Sequence, residues 1–467
     1  MITRLRAENF KSWKDTGDLR LGSLTGLFGT NSSGKTSILQ VLPLLKQTAE
    51  FPDNNRVLYF GKDDSPVFLG TFREIIHGKV LHSALTLSFS WRSDIPGSTR
   101  KRPYSFDPIV ERLNDREFSF RTSIRQRGEA PEVDSFAYEL GGRVFGMQRT
   151  GQNEYTLIHG PAADAREEMV SNTDSYFPFG GEFKEPTEIQ FESPVKCYGF
   201  PPDAGAVFDA LRAEAPQNEV ASRNHDGLPP FQLAFESVFQ RVHYLGPLRP
   251  FPHRVYQWGG ERPLDTGWDG EQTVETLLAY RVVEKIAEWL KQMDLVHSFK
   301  LQSVGESGTI YQCYVQRSPA ATEVLLPDVG FGVSQILPVL ANCAMLPAGS
   351  TLLLEQPEIH LHPFAQAALA DVLIDAIKNR KIQVIVESHS EHLLRRIQRR
   401  IAEEVFAAED AALYFCHLEE GASQADELEL DSYGYIKNWP KHFFGDEMEE
   451  VAKMTIAASE RRKAGRQ

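Results

Sequence analysis

The chain has 467 residues, 41% hydrophobic and 24% charged, which places it among ordinary globular proteins with room for two or three domains and at least one full α/β core. Its formal net charge of -14 repels nucleic acid overall, so any DNA or RNA contact needs a local basic face or a partner. No apolar run approaches the roughly 18 residues of a membrane span, and the N-terminus has no apolar leader. Cys197, Cys313, Cys343 and Cys416 are too scattered for a zinc site or a disulfide framework, so the expectation is a reduced, cytoplasmic protein with no membrane partner.

Residues 1–28 read as two strands, Ile2 to Phe10 and Leu24 to Phe28, around a polar turn. The second runs into Gly29-Thr30-Asn31-Ser32-Ser33-Gly34-Lys35-Thr36, which fits the G-x-x-x-x-G-K-[ST] pattern of a phosphate-binding loop, and Ser37 to Leu42 then reads as a helix. Glycines let backbone N–H groups turn inward around a polyphosphate, and the helix N-terminus adds a favourable dipole. Lys35 is then expected on the β- and γ-phosphates and the Thr36 hydroxyl on Mg²⁺. Pro43 is expected to kink or end the helix. Val57 to Gly61 and Val67 to Gly70 read as short extended pieces.

From about residue 80 to 204, alternating segments such as Leu85 to Trp91, Phe118 to Thr122 and Tyr155 to Ile158 predict an inserted antiparallel β lobe. Gly160 to Pro194 reads as irregular, and residues 205–243 as a helical insert holding the polar loop Pro216 to Pro230. Beyond the segment Tyr244 to Tyr256, too proline-rich for a helix, a helical pattern covers Thr273 to Met293. A glycine-spaced loop, Asp328 to Ser334, opens a helix from Gln335 to Met345. Strand Thr351 to Leu354, helix Phe364 to Lys378, strand Ile382 to Val386 and helix Glu391 to Val405 follow, an alternation that predicts a parallel sheet with crossover helices. Arg395, Arg396, Arg399 and Arg400 make the last helix basic, which reads more readily as a solvated face than as a nucleic-acid contact.

The strand ending in Glu355 places a carboxylate at the carboxyl edge of that sheet, where a phosphate loop needs an acid for Mg²⁺. Val384 to Ser390 forms a second buried strand end, and His389 on it is placed to sense a γ-phosphate. The phosphate loop, the Gly330-Phe331-Gly332-Val333-Ser334-Gln335 loop, the Glu355-Gln356-Pro357-Glu358-Ile359-His360-Leu361-His362-Pro363 strand end and the Glu387-Ser388-His389-Ser390 strand end, in that order, resemble the ABC-type ATPase heads of the RecF/SMC superfamily. More narrowly they resemble bacterial AAA-type ATPases that end in a small uncharacterised domain and occur in anti-phage defence, and Asp431 to Gly445 is similar to that domain's pattern.

The resemblance implies a head split into residues 1–79 and 244–420, with the β lobe and helical insert between and a small C-terminal domain at 421–467. It implies that two heads dimerise, or build a higher homo-oligomer, with each ATP between the phosphate loop of one chain and the signature loop of the other. Gly29, Asn31, Ser32, Ser33, Gly34, Lys35, Thr36 and Ser37 then hold ATP with Mg²⁺, and Gly330, Gly332 and Ser334 form the trans signature loop. Thr36 and Glu355 take the metal, and Glu355, Gln356, Glu358 and His389 are the catalytic candidates. Gln356 stands where such heads carry a catalytic Glu; glutamine orients a water but is no general base, so hydrolysis is expected to be slow or to depend on Glu358 or Glu387. His360 and His362 invite a metal reading, but the motif accounts for them. Too little chain follows His389 for a fused nuclease, and no coiled-coil arm is present, so the expected partner is a separate nuclease or toxin effector, in anti-phage defence or DNA repair. The alternative is a nucleotide-locked scaffold that does not hydrolyse ATP. Arg249 and Arg254 are open between contacting nucleotide and tying loops together.

Overall fold

The computed structural model describes residues 1–53, 56–80, 82–92, 117–128, 130–140, 142–161, 190–202, 204, 230–305, 308–440, 443, 453–458 and 461. The chain enters through β1 (Ile2–Phe10), β2 (Trp13–Asp15), β3 (Leu19–Arg20) and β4 (Leu24–Gly29), followed by α1 (Lys35–Glu50) and a one-turn α2 (Phe72–Ile75). Next come β5 (Leu85–Arg92), β6 (Glu117–Arg127), β7 (Ala130–Leu140), β8 (Arg143–Gly151) and β9 (Glu154–Pro161). After α3 (Pro230–Phe239) lie β10 (Val242–Leu245), β11 (Tyr256–Gln257), α4 (Thr273–Tyr280), α5 (Val283–Gln292), β12 (Ser298–Ser303), β13 (Ile310–Gln316) and β14 (Val324–Leu325). The last part holds α6 (Phe331–Met345), β15 (Thr351–Glu355), α7 (Pro363–Asp375), β16 (Gln383–Glu387), α8 (Glu391–Ala402), β17 (Ala411–Glu419) and β18 (Ala422–Glu427).

Six strands form the central sheet in the order β10-β15-β16-β4-β17-β18, parallel except at the β17–β18 hairpin. Its strands read as continuous apolar runs because both faces are covered. On one face Leu24, Phe28, Leu352, Leu354, Val384 and Val386 join the core built with α6, α7 and α8. On the other, Leu27, Leu353 and Ile385 pack with Ile38, Leu39 and Leu42 of α1 and with the aromatic core of the antiparallel strands. The alternating segments predicted from residue 80 onward do form antiparallel β, in an eight-stranded sheet ordered β2-β1-β5-β6-β7-β8-β9, with β3 also on β1. Because β1 pairs with β5, this sheet grows directly out of the N-terminal strand. A third, four-stranded sheet holds β11 to β14.

Several local expectations change. Pro43 neither ends nor breaks α1, which continues to Glu50. The helix beyond it is buried at Leu44 and Leu45 and tied to α3 and β10, where Lys46 Nζ donates to the carbonyls of Phe239 and Val242, and such packing outweighs a proline cost of about 3 kcal/mol. The pattern from Thr273 to Met293 is two helices, α4 and α5, because Arg281 turns left-handed at φ 55° and closes the first. Residues 57–61 and 67–70, expected as short extended pieces, join no sheet, and Leu69 N–H donates to the Phe60 carbonyl at 2.8 Å. Helix α6 starts at Phe331, so Gly332 and Ser334 lie in its first turn rather than in a preceding loop. Residues 162–189 and 205–229, with the expected irregular stretch and polar loop, lie outside the described residues, as do 441, 442, 444 and 445 of the C-terminal motif. Among the described residues no helix is long and apolar enough to cross a membrane.

Candidate phosphate and metal site

Five parallel strands end at one edge of the central sheet, and the ends of β15, β16, β4 and β17 carry the chemistry. Register places Glu355 of β15 opposite Glu387 of β16, Glu387 opposite Leu27 of β4, and Gly29 of β4 opposite Cys416 of β17. The turn that leaves β4 depends on glycine. Gly29 has φ 138°, and a Cβ there would collide with the Cys416 carbonyl; Gly34 has φ 88°, and a Cβ there would lie 2.6 Å from Trp13 Nε1. Gly34 is the residue before α1, and its carbonyl accepts from Trp13 Nε1 at 2.9 Å. Thr30, Asn31 and Ser32 stand exposed at the loop tip while Ser33 is buried beneath them. Ser37 lies in the first turn of α1.

Lys35 is 3% exposed and folds back onto the loop, donating to the Thr30 carbonyl at 2.7 Å and to the Gly29 carbonyl and Ser33 Oγ at 3.3 Å. Burial lowers its pKa, with Glu387, Cys416 and Glu358 opposing the shift. The Thr36 hydroxyl bonds both oxygens of Glu387, at 2.9 and 2.8 Å. Sequence reasoning paired Thr36 with Glu355; in this structure the hydroxyl's hydrogen-bond partner is Glu387, on the strand between β15 and β4. Glu355 Oε1 instead accepts from the Tyr244 hydroxyl at 2.8 Å.

The three carboxylates Glu355, Glu358 and Glu387 are 4%, 6% and 2% exposed, and burial raises the pKa of each. Glu355 is pushed up to about 7 by burial and then by Glu387, against the Tyr244 bond and the Lys11 charge. Bonds from Thr36 and Gln356 and the charge of Lys35 hold Glu387 partly down. Glu358 Oε1 accepts from the His389 backbone N–H at 2.7 Å, and its Oε2 is buried without a partner. Gln356, at φ 43°, donates its N–H to the Glu387 carbonyl at 2.9 Å, and its side chain bonds the same residue. The His389 ring bonds the Gly29 carbonyl; burial and then Lys35 hold its pKa below the ordinary value. Gln356, Glu358 and His389 are therefore linked to Glu387 or to the phosphate loop, and Glu355 lies beside Glu387 one strand further away.

Gly330, Gly332 and Ser334 form a second group. Gly330 caps α6, a Cβ on Gly332 would lie 2.9 Å from the His360 carbonyl, and Ser334 Oγ bonds the Phe331 carbonyl at 3.0 Å. Arg249 links the two groups, donating to the Gln335 carbonyl at 3.0 Å and toward the Glu355 carbonyl at 3.5 Å. It is 9% exposed, and burial lowers its pKa to about 10. Arg254 ties the same proline-rich loop to Asp328 at 2.6 Å, so both arginines hold loops together in this structure. His362 caps α7, while the exposed His360 packs on Phe331 with ring centroids 5.8 Å apart. The arginines of α8 are paired: Arg395 with Glu391, Arg396 with Asp371, Arg399 with Glu403, and Arg400 with Asp371 and Glu403.

Tyr244 and Lys11 were not singled out from the sequence. Tyr244 points into the site from β10, a neighbour of β15, and the charge of Lys11, just past the end of β1, acts on Glu355. Neither belongs to a motif, so only the strand order reveals them. The donor set suits Mg²⁺: a threonine hydroxyl and buried carboxylates are hard oxygen ligands, and one carboxylate oxygen is unpartnered.

Residues 317–395 match an AAA domain family whose description also names an AbiEii toxin and a Type IV TA system. Residues 407–454 match a family described as a protein of unknown function, DUF3696. No curated protein matches the sequence. Among solved structures the chain is similar to "Crystal structure of the SmcHead bound to the C-winged helix domain of ScpA", at 13% identity over 92% of this chain and 98% of that one, TM-score 0.43. It is also similar to the SMC head domain from Thermotoga maritima, at 12% identity over 92% and 99%, TM-score 0.39. A third is the Smc head domain with an extended coiled coil bound to the C-terminal domain of ScpA derived from Pyrococcus furiosus, at 12% identity over 92% and 96%, TM-score 0.38. The chain is thus similar to AAA-type ATPase domains over the Gly330 turn, the Glu355 strand end and the His389 strand end, and to DUF3696 over the residues that follow, in keeping with the resemblance its motif order carries.

Proposed function

We propose that this protein binds ATP with Mg²⁺ at the loop from Gly29 to Thr36, hydrolyses it slowly, and dimerises on ATP to switch a separate effector protein in anti-phage defence or DNA repair. The observation that carries this reading is the convergence of Lys35, Thr36, Gln356, Glu358, Glu387 and His389 on one loop at the carboxyl edge of a parallel sheet. When bound, Mg²⁺ supplies charge neutralisation between the phosphates. Lys35 leaves the Thr30 carbonyl for the polyphosphate, the N–H groups of residues 31–36 orient it, and His389 reports on the loop through Gly29. The signature turn at Gly330, Gly332 and Ser334 faces the partner copy in this reading, and Arg249 links its helix to the Glu355 strand end.

A second reading, a nucleotide-locked scaffold, has its own supporting observation. Gln356 occupies the position where a base belongs, and its side chain is already held by Glu387. Steady-state ATP hydrolysis by the wild type beside Lys35→Ala and Gln356→Glu, with bound nucleotide identified after denaturation, separates the two. Turnover that Lys35→Ala abolishes is the outcome expected for the switch. Intact ATP recovered from an inactive wild type, with turnover gained by Gln356→Glu, replaces it by the scaffold.

A further inference from the structure

The hydroxyl that a phosphate loop commits to its cation is engaged here by an acid from an unexpected strand. Thr36 Oγ1 lies 2.9 and 2.8 Å from the two oxygens of Glu387. These are hydrogen-bond distances, and they already bring two hard oxygen donors of the kind Mg²⁺ takes side by side. Glu355 is differently placed. It lies one strand further from β4, and its Oε1 is committed to the Tyr244 hydroxyl at 2.8 Å. Glu387 is also the largest charge opposing the pKa shift of Lys35 and the acceptor of the Gln356 side chain, so it connects the phosphate-binding amine, the metal-binding hydroxyl and the water-orienting amide.

Building on the ATP reading above, we propose that Glu387, and not Glu355, is the carboxylate that holds the divalent cation with Thr36. The acid of this site has moved from the end of β15 to the end of β16, next to the phosphate loop. Glu355 shapes the site from behind through Tyr244 and does not touch the ion.

The test is the metal dependence of nucleotide affinity, measured with a fluorescent ATP analogue in Mg²⁺ and in EDTA, on wild type, Thr36→Ala, Glu387→Gln and Glu355→Gln. Paramagnetic Mn²⁺ in the presence of ATP provides a direct count of bound metal. Glu387→Gln is expected to lose at least tenfold of the Mg²⁺-dependent gain in affinity and to lose Mn²⁺ with it, as Thr36→Ala does. Glu355→Gln is expected to keep that gain within about threefold. The opposite pattern, or loss of the gain in both glutamine variants, overturns the assignment. Glu387→Asp guards against a folding defect: it keeps the charge and is expected to restore part of the gain, and a variant that folds but restores none counts against the proposal. Failure of the ATP reading looks different, because wild type and Lys35→Ala would then bind the analogue equally poorly in both buffers.

Discussion

The two large sheets handle charge in opposite ways. In the parallel sheet, ionisable groups collect where the strands end: Lys35, Glu355, Glu358, Glu387 and Arg249 are each 9% exposed or less. Two of their polar atoms, Arg249 Nε and Glu358 Oε2, are buried without a partner. In the antiparallel sheet the charges stay on the open face and pair across strands, as Arg6 does with Asp15 at 2.7 Å and Arg125 with Asp134 at 2.8 Å. Its inner face is aromatic, with Phe120 against Tyr138 and Phe235 at ring distances of 4.9 Å, and the buried Tyr138 hydroxyl is satisfied by the Tyr198 carbonyl at 2.7 Å. Buried polar atoms without a partner are rare, and these two are joined by Gln232 Oε1 on α3 and Ser350 Oγ before β15, so what distinguishes the strand ends is the number of buried charges gathered there.

The largest test of this contrast uses glycine. Gly29→Ala is expected to destabilise the fold by about 3 kcal/mol or more, because its Cβ meets the Cys416 carbonyl in a neighbouring strand and φ 138° is closed to alanine. Gly128, at φ 61° with open space around its Cβ position, lies between β6 and β7. There the same change is expected to cost about 1 kcal/mol, for backbone strain alone. Urea unfolding of both variants measures the difference, and equal losses would remove the idea that the phosphate-loop strand is uniquely constrained.

Acid chemistry separates the sheets by sign. Glu355 titrates near 7 in the folded chain against 4.5 for the free side chain, so the folded state binds its proton more tightly. Its contribution is therefore fully present below about pH 4.5 and is lost, by about 3 kcal/mol in all, as pH rises through about 7. Asp134 behaves in the reverse sense. Burial pulls its pKa upward, but bonds from Arg127 and Arg125 hold it below the ordinary value, so its contribution is lost only as pH falls into the acid range. Unfolding midpoints in metal-free buffer are expected to fall between pH 5 and 8, and Glu355→Gln is expected to flatten that decline. An unchanged slope in the variant would locate the titration elsewhere.

Much of the parallel sheet could be read from the chain, because buried parallel strands are unbroken apolar runs and a phosphate loop needs fixed residue types at fixed spacing. The helix and strand alternation after Gly330 was legible for the same reason. Strand order was not. Nothing local in Glu387-Ser388-His389 says that β16 inserts between β15 and β4, and that insertion decides which acid meets Thr36. Nor could sequence place Tyr244 against Glu355, a contact across 111 residues. The pairing of β1 with β5 was hidden likewise, since alternation predicts strands and their faces but not their neighbours. Pro43 shows the converse failure, in which a local rule gives way to packing on both sides of it.

Tyr244→Phe tests the missed contact and carries an intermediate effect. Removing the hydroxyl leaves a buried carboxylate without its donor, for an expected loss of about 1–3 kcal/mol at pH 8. The loss is expected to shrink at pH 5, where Glu355 is protonated and the missing bond is to a neutral group. Denaturant titration at the two pH values reads this directly, and a pH-independent loss would mean that the phenylalanine disturbs packing rather than charge.

The smallest effect should come from the exposed member of the arginine pair. Arg254 and Asp328 are 64% and 43% exposed, so solvent screens their 2.6 Å contact, and Arg254→Ala is expected to cost less than about 1 kcal/mol and less still in high salt. Arg249 reaches the Gln335 and Glu355 carbonyls from the interior, where no salt effect is expected and where lysine cannot span both acceptors. Arg249→Lys should therefore cost more than Arg254→Ala, although it keeps the charge. If the exposed arginine proved the costlier of the two, the loop would be held from its surface, and the buried arginine would belong to the nucleotide rather than to the fold.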